Sequence, residues 1–392
     1  MQGCCKLGQG DMDNPLQYFA ALKDPRVERN REHLLEEILL VAIAAVLSGA
    51  ESWNDMEEYG KAKKAWLKTF LQMPGGIPSH DTFNRVFAAL NSDELEKGFV
   101  AWVSAVARLT AGEGVAIDGK TLCGTRQPGQ KAMVHMVSAW ASTNNLVLGQ
   151  RKADDKSNEI TAIPKLLEAL ELSGTIVAID AMGCQKTIAE KIAAKNADYV
   201  LAVKDNQGHL LEEIKDSFRM LAADAVAEQI DCGHGRVEQR RCAVIADTST
   251  SLLEQADQWP SLRGLVRIEA ERYHKVSGKI EREIRYYITS LKPDATRLNA
   301  AIRQHWGIEN KLHWALDVSC GEDRSRKRAG NAAQNFSLLN RIALNLLKQE
   351  TSLKRGIKEK RLKAAWDHAC LLKLLGTGYA SALSRNASGP HQ

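Results

Sequence analysis

Along this chain the spacing of apolar residues changes from a helical period to short β-like runs and back again. From about Asp24 to Leu109 apolar positions recur at three- and four-residue intervals, which predicts helices throughout. A long apolar helix is expected from about His33 to Leu47, a second from Trp53 to Gly60 and a third from Lys61 to Leu71. The turn Pro74-Gly75-Gly76-Ile77-Pro78 follows, and Ser79 reads as the N-cap of a helix from His80 to Leu90. Helix, glycine-containing turn and capped helix is the outline of a helix-turn-helix, with His80, Asn84 and Arg85 as its DNA contacts. Plain helix packing satisfies the same pattern.

After Gly112 the runs become β-branched and aliphatic. Val115-Ala116-Ile117 leads into Asp118-Gly119-Lys120, and Thr175-Ile176-Val177-Ala178-Ile179 leads into Asp180. Each reads as a buried strand stopped near a glycine. An aspartate there stands at a sheet edge, where ligand sites form in open α/β sheets, although such residues also cap turns. Val134 to Ser142 and Leu146 to Arg151 read as a hairpin around Asn144-Asn145. A helix carrying Ile160, Ile163, Leu166, Leu167 and Leu170 comes next, then the Asp180 strand, a helix from about Thr187 to Lys195 and a strand from Asp198 to Val203. The pattern alone gives a mixed α/β layer with a hairpin edge.

About a hundred residues separate Val203 from the next polar helix, too many for one connection in a compact domain. A helix near Leu210 to Leu221 and β-like runs Val237 to Ile245, Gly264 to Arg272 and Glu283 to Ser290 predict a mainly β insertion there. Beyond it, the stretch RQHWGIENKLHWALDVSCGEDRSRKR puts His305, Glu309 and His313 on one face of a helix. A core helix would fill that face with Leu, Ile or Val, so Glu309 reads as a site carboxylate, and Trp306 and Trp314 beside it as core anchors.

Three carboxylates brought together raise one another's pKa and call for a cation. Hard oxygen ligands select Mg2+ or Mn2+ over zinc, and a site with few protein ligands leaves room for phosphate and water. That is the donor set of two-metal phosphoryl transfer. The zinc-protease pattern, with Glu directly after the first His, is absent. Glu322 and Asp323 are rival acids, but they precede Arg324, Arg326, Lys327 and Arg328 and are expected to organise that basic cluster.

Composition adds bounds. At 392 residues there is room for two or three domains, and the net charge of +5 is concentrated toward the C-terminal end, where Lys354, Arg355, Lys358, Lys360, Arg361 and Lys363 surround one acid, Glu359. Such a segment suits a duplex phosphate backbone. The 8 cysteines show neither Cys-x-x-Cys nor a zinc-ligand set, so reduced thiols in a cytoplasmic protein are expected. Ile38 to Leu47 is too short an apolar run to span a bilayer, and no signal-peptide pattern is present.

The motifs DPRVERNREHLLEEILLVAIAAVLSGAESWNDMEEYG, GIPSHDTFNRVF, IDGKTLCGT, IDAMGCQK, VKDNQ, GHGRVEQRRC, YYITSL, IRQHWGIENKLHWALDVSCGEDRSR and KEKRLKAAW occur in this order over nearly the whole chain. With them the sequence resembles the DDE transposases of bacterial insertion sequences, in the ISAs-type subgroup that includes the H-repeat-associated, Rhs-linked proteins. The resemblance implies an RNase H-like α/β catalytic core at 111–348 with a β-rich insertion at about 222–292. It would be preceded by a loose tail at 1–13 and an all-α domain at 14–110, and followed by a basic helical segment at 349–392. It implies Asp118, Asp180 and Glu309 as catalytic metal ligands, with Asp118 bridging two Mg2+ ions, for which Mn2+ can substitute. It also implies double-stranded DNA as partner, a homodimer on paired ends and a nucleoid-associated location. Expected DNA contacts are Lys120, Lys204, Asn206, Gln207, Arg236, Arg240, Arg303, His305, Asn310, Arg324, Arg326, Lys358, Lys360 and Arg361. The widespread Tyr, Arg, Glu, Lys signature keeps only its acid here, since the matching positions are Ile302, His305, Glu309 and Leu316. Arg303, His305 or Arg324 would then replace the lost basic and aromatic groups.

Overall fold

The computed structural model describes residues 14–126, 133–153, 159–233, 235–246 and 253–376, so the expected tail at 1–13 lies outside the described residues. Contacts divide the chain into two compact units: residues 1–107, 121–134 and 314–392, as far as they are described, and residues 108–120 and 135–313.

The first unit is helical. Its N-terminal part holds α1 (Leu35–Leu47), α2 (Trp53–Leu67), α3 (His80–Ala89) and α4 (Ser92–Val106). Nearly every residue of α1 is buried, as its uninterrupted apolar run requires. The break expected at Gly60 is absent, and α2 runs through it. Its missing side chain makes room for Ile77, whose Cγ2 would lie 2.6 Å from a Cβ at that position. Ser79 caps α3 by accepting from the Thr82 amide at 3.2 Å.

The sheet unit carries β1 (Gly114–Thr121), β2 (His135–Ala141), β3 (Leu146–Lys152), α5 (Glu159–Ala169), β4 (Ile176–Ile179), α6 (Lys186–Ala194) and β5 (Asp198–Val203). Then come α7 (Gly208–Met220), β6 (Ala225–Gly233), β7 (Arg236–Ile245), β8 (Gly264–His274), β9 (Ile280–Thr289) and α8 (Ala295–His305). Among the described residues the nine strands form one sheet in the order β3-β2-β1-β4-β5-β9-β8-β7-β6. β1, β4 and β5 are parallel, β2 and β3 form the hairpin, and β9 joins β5 antiparallel. Strands β1 to β5 have the RNase H-like order, and β6 to β9 extend the sheet from β5. α8 packs over the apolar side of that extension, where Cys242, Val244, Val266, Ile268 and Tyr287 meet Leu298, Ala301 and Ile302. β6 is not visible in the pattern because its large apolar residues, Val226 and Ile230, face outward, 47% and 64% exposed.

The helix expected to carry His305, Glu309 and His313 is interrupted. α8 ends at His305, a wide π-type turn covers Glu309–His313, and α9 (Trp314–Cys320) follows. In the helical unit α9 is followed by α10 (Ala332–Gln349), α11 (Ile357–Trp366) and α12 (His368–Leu375). α10 packs against α1, α3 and α4, so contact places 314–348 with these helices rather than with the sheet. Among the described residues no helix is long and apolar enough to cross a membrane.

Candidate active site

Strand register explains how two distant aspartates meet. Ile117 pairs with Ile179 on the adjacent parallel strands β1 and β4, and Asp118 and Asp180 are the next residue of each. Gly119 leaves room there for two side-chain ends: a Cβ would lie 2.1 Å from Glu159 Oε1 and 2.4 Å from His135 Nε2, so a larger residue would displace them. The Asp180 carboxylate accepts the Met182 amide at 3.0 Å and so caps the turn Ala181–Gly183.

Glu309 reaches the same place from the wide turn after α8. Asp118, Asp180, Glu309, Lys204, Arg285, Tyr287, His305 and Trp306 line one cavity of about 180 Å3. His313 Nδ1 lies 3.6 Å from Asp118 Oδ2 and 3.5 Å from Glu309 Oε2. Turns of this π type recur at functional sites because they re-aim side chains off the regular helical spiral. Burial, with added repulsion from Glu309, Asp180 and Glu159, pushes the Asp118 carboxyl up to about 8. Burial and then Glu159 also raise Asp180, opposed by the Gly183 and Met182 amides and by Lys204. The cluster thus holds more negative charge than its surroundings compensate, the condition under which a divalent cation fits.

Glu159 was missed in the sequence. It opens α5, its Oε1 meets His135 Nε2 at 2.9 Å, and it adds a fourth carboxylate to the group. No motif marks it. A glutamate in the first turn of a helix ordinarily needs no further explanation.

Several expected DNA contacts have other work in the structure. His305 Nδ1 donates to the Ala178 carbonyl at 3.1 Å, tying the end of α8 to β4. Burial depresses this imidazole to about 4, so it is neutral near pH 7 and offers a phosphate no charge. Asn206 donates to the Ala181 carbonyl at 2.7 Å and Gln207 to the Cys184 carbonyl at 2.8 Å, bracing the turn behind Asp180. Arg240 is buried against Glu238 at 2.9 Å, and Arg303 pairs with Asp231 on β6. Lys120 is buried on β1.

In the helical unit Arg361 is buried and donates to the carbonyls of Val46, Ala50 and Ser319, while Lys360 is buried on those of Leu347 and Glu350. These carbonyls lie at or just beyond helix ends, whose last C=O groups lack helical partners and favour cations. Both residues are structural. Arg236, Asn310, Arg326, Lys358 and Lys204 are exposed, and so is Arg324, which also reaches Glu51 at 3.1 Å. Trp306 and Trp314 are not core anchors: they are 40% and 59% exposed, and the Arg285 guanidinium lies 4.0 Å over the Trp306 ring. Glu322 is buried and pairs with Arg341 at 2.8 Å, a partner outside the expected basic cluster.

Residues 110–346 match the family model described as Transposase DDE domain, which covers more than half of the chain, and residues 16–103 match the one described as DDE_Tnp_1-associated. The chain belongs to the DDE transposase family. It is 40% identical over 369 residues to the "Putative transposase YncI" of Escherichia coli O157:H7, covering 92% of this chain and 94% of that protein. To the "H repeat-associated putative transposase YhhI" of Escherichia coli K12 it is 38% identical over 374 residues, covering 93% and 98%. This transposase therefore has full-length relatives of the H-repeat group, as its motifs implied.

Proposed function

We propose that this transposase cuts DNA at the ends of an insertion sequence and joins the resulting 3′-hydroxyls to target DNA. The observation that carries the reading is the convergence of Asp118, Asp180 and Glu309 on one cavity. In cleavage, water adds to the scissile phosphorus and the P–O3′ bond breaks, leaving a 3′-hydroxyl and a 5′-phosphate. In joining, that 3′-oxygen forms a new bond to a target phosphorus and loses its proton, while the 3′-oxygen of the target strand leaves and takes up a proton through solvent to become a hydroxyl. Neither step uses a covalent protein intermediate.

Asp118, Asp180 and Glu309 would hold two Mg2+ or Mn2+ ions. Ions bound there supply Lewis acidity and positive charge to phosphoryl transfer. The chain's own side chains do the rest. Lys204 and Arg285 line the cavity and would orient the scissile phosphate. Asn206 and Gln207 hold the Asp180 turn, and His305 holds α8 against β4. Exposed Arg236, Asn310, Arg324, Arg326 and Lys358 would follow the duplex backbone. We assign the DNA-bound form as a homodimer on paired ends, in the bacterial cytoplasm at the nucleoid.

The test is strand cleavage and joining of DNA carrying the element's ends, with Mg2+ or EDTA, comparing wild type and Asp118→Asn. Joined products that need metal and vanish in the variant are expected. Cleavage without joining would make the protein a nuclease, and end binding without either would make it a DNA-binding relic.

A further inference from the structure

Asp118, Glu309 and His313 each present a donor atom, and the three atoms lie within 4.8 Å of one another. His313 is only 4% exposed, so its imidazole is fixed by packing before any ligand arrives. Its Nδ1 faces both carboxylates, at 3.6 Å from Asp118 and 3.5 Å from Glu309. Those separations exceed an ordinary N–H···O hydrogen bond. They are shorter than the ~4.2 Å between opposite donors around one ion with bonds of about 2.1 Å. One ion can therefore touch the nitrogen and either oxygen together. The wide turn Glu309–His313 aims the two side chains at the same aspartate.

We propose that His313 Nδ1 is a protein ligand to the ion held between Asp118 and Glu309, and that this nitrogen tilts the site from Mg2+ toward transition-metal ions such as Mn2+. The inference rests on reading Asp118 and Glu309 as metal ligands. Mg2+ demands near-ideal octahedral geometry and keeps its waters, whereas imidazole suits Fe2+, Ni2+ and Zn2+; Mn2+, the first of that divalent series, prefers oxygen but accepts a nitrogen more readily than Mg2+ does. A buried, preset nitrogen thus favours the transition-metal ions over Mg2+.

The experiment adds Mn2+ to the full chain and records its electron spin-echo envelope, which carries a 14N modulation only when a nitrogen is bound. Modulation is expected in the wild type and its loss in His313→Gln. The variant should also bind Mn2+ at least about tenfold more weakly while its Mg2+ affinity falls less. Bound Mn2+ without nitrogen modulation, or equal Mn2+ affinity in the variant, overturns the proposal. The wild-type spectrum decides even if His313→Gln fails to fold. Mn2+ that does not bind, or binds undiminished to Asp118→Asn, removes the metal site itself. Mn2+ that binds, is lost in Asp118→Asn and shows no nitrogen removes only the His313 ligand.

Discussion

Glu309 and Glu322 come from one polar stretch of sequence and end in opposite electrostatic situations. Glu322 is 2% exposed, pairs with a fully buried Arg341 at 2.8 Å and accepts the Ser337 hydroxyl at 2.9 Å. Glu309 faces Asp118, whose carboxyl is already driven up by burial and by its acidic neighbours. One acid has its cation built into the fold, and the other stands in a crowded acidic group, for which we propose a cation from outside. A buried charge with its partner is architecture; crowded like charges tolerated in a cavity point to function.

The largest effect that can break this comparison is catalytic. Glu309→Gln keeps the side chain's shape but removes an anionic ligand, so cleavage should fall on the order of 10^2- to 10^3-fold, measured as nicked product over time. End binding in a gel-shift assay should change little, and the melting temperature should hold or rise because a repulsive charge is gone. If the variant cleaves normally, Glu309 does not belong to the site.

Next comes stability. Glu322→Ala leaves Arg341 buried without its carboxylate and should cost about 3–5 kcal/mol in denaturant unfolding. Its cleavage per folded molecule should stay near the wild-type value. A loss of turnover in fully folded Glu322→Ala would erase the distinction between the two acids.

A smaller effect sharpens the same contrast among the cations. Arg361→Ala strands helix-end carbonyls and should destabilise by about 1–3 kcal/mol, read as a shift in the unfolding midpoint. Lys358→Ala, on an exposed side chain, should leave stability unchanged and reduce the salt slope of DNA binding by about 1. The reverse outcome would mean that exposure does not separate structural from DNA-facing charges in this segment.

Much of the fold was legible. The helical character of the N-terminal part, the Asn144-Asn145 hairpin and the strands leading into Asp118 and Asp180 form as apolar periodicity predicts, because each buries one face against a neighbour, although α2 runs through Gly60 and β1 continues past Asp118 to Thr121. β6 escaped because its large apolar residues face outward. Ser79 was readable as a cap because capping is local. Glu159 was not, because its proximity to Asp118 and Asp180 arises from packing of α5 and not from any spacing along the chain.

The basic residues show the limit most plainly. Lys354, Lys358, Lys360 and Arg361 look alike in sequence, yet the first two are exposed and the last two are buried on helix-end carbonyls. By itself the sequence determined the family, the two strands that carry Asp118 and Asp180 and the polar stretch that carries Glu309, since these follow from residue type and period, but not the wide turn that interrupts its helix. Only the tertiary structure decided which charges meet, that Glu309 and His313 share Asp118, and that Glu322 is already paired. Charge compensation depends on distance and burial, and neither is a property of neighbours along the chain.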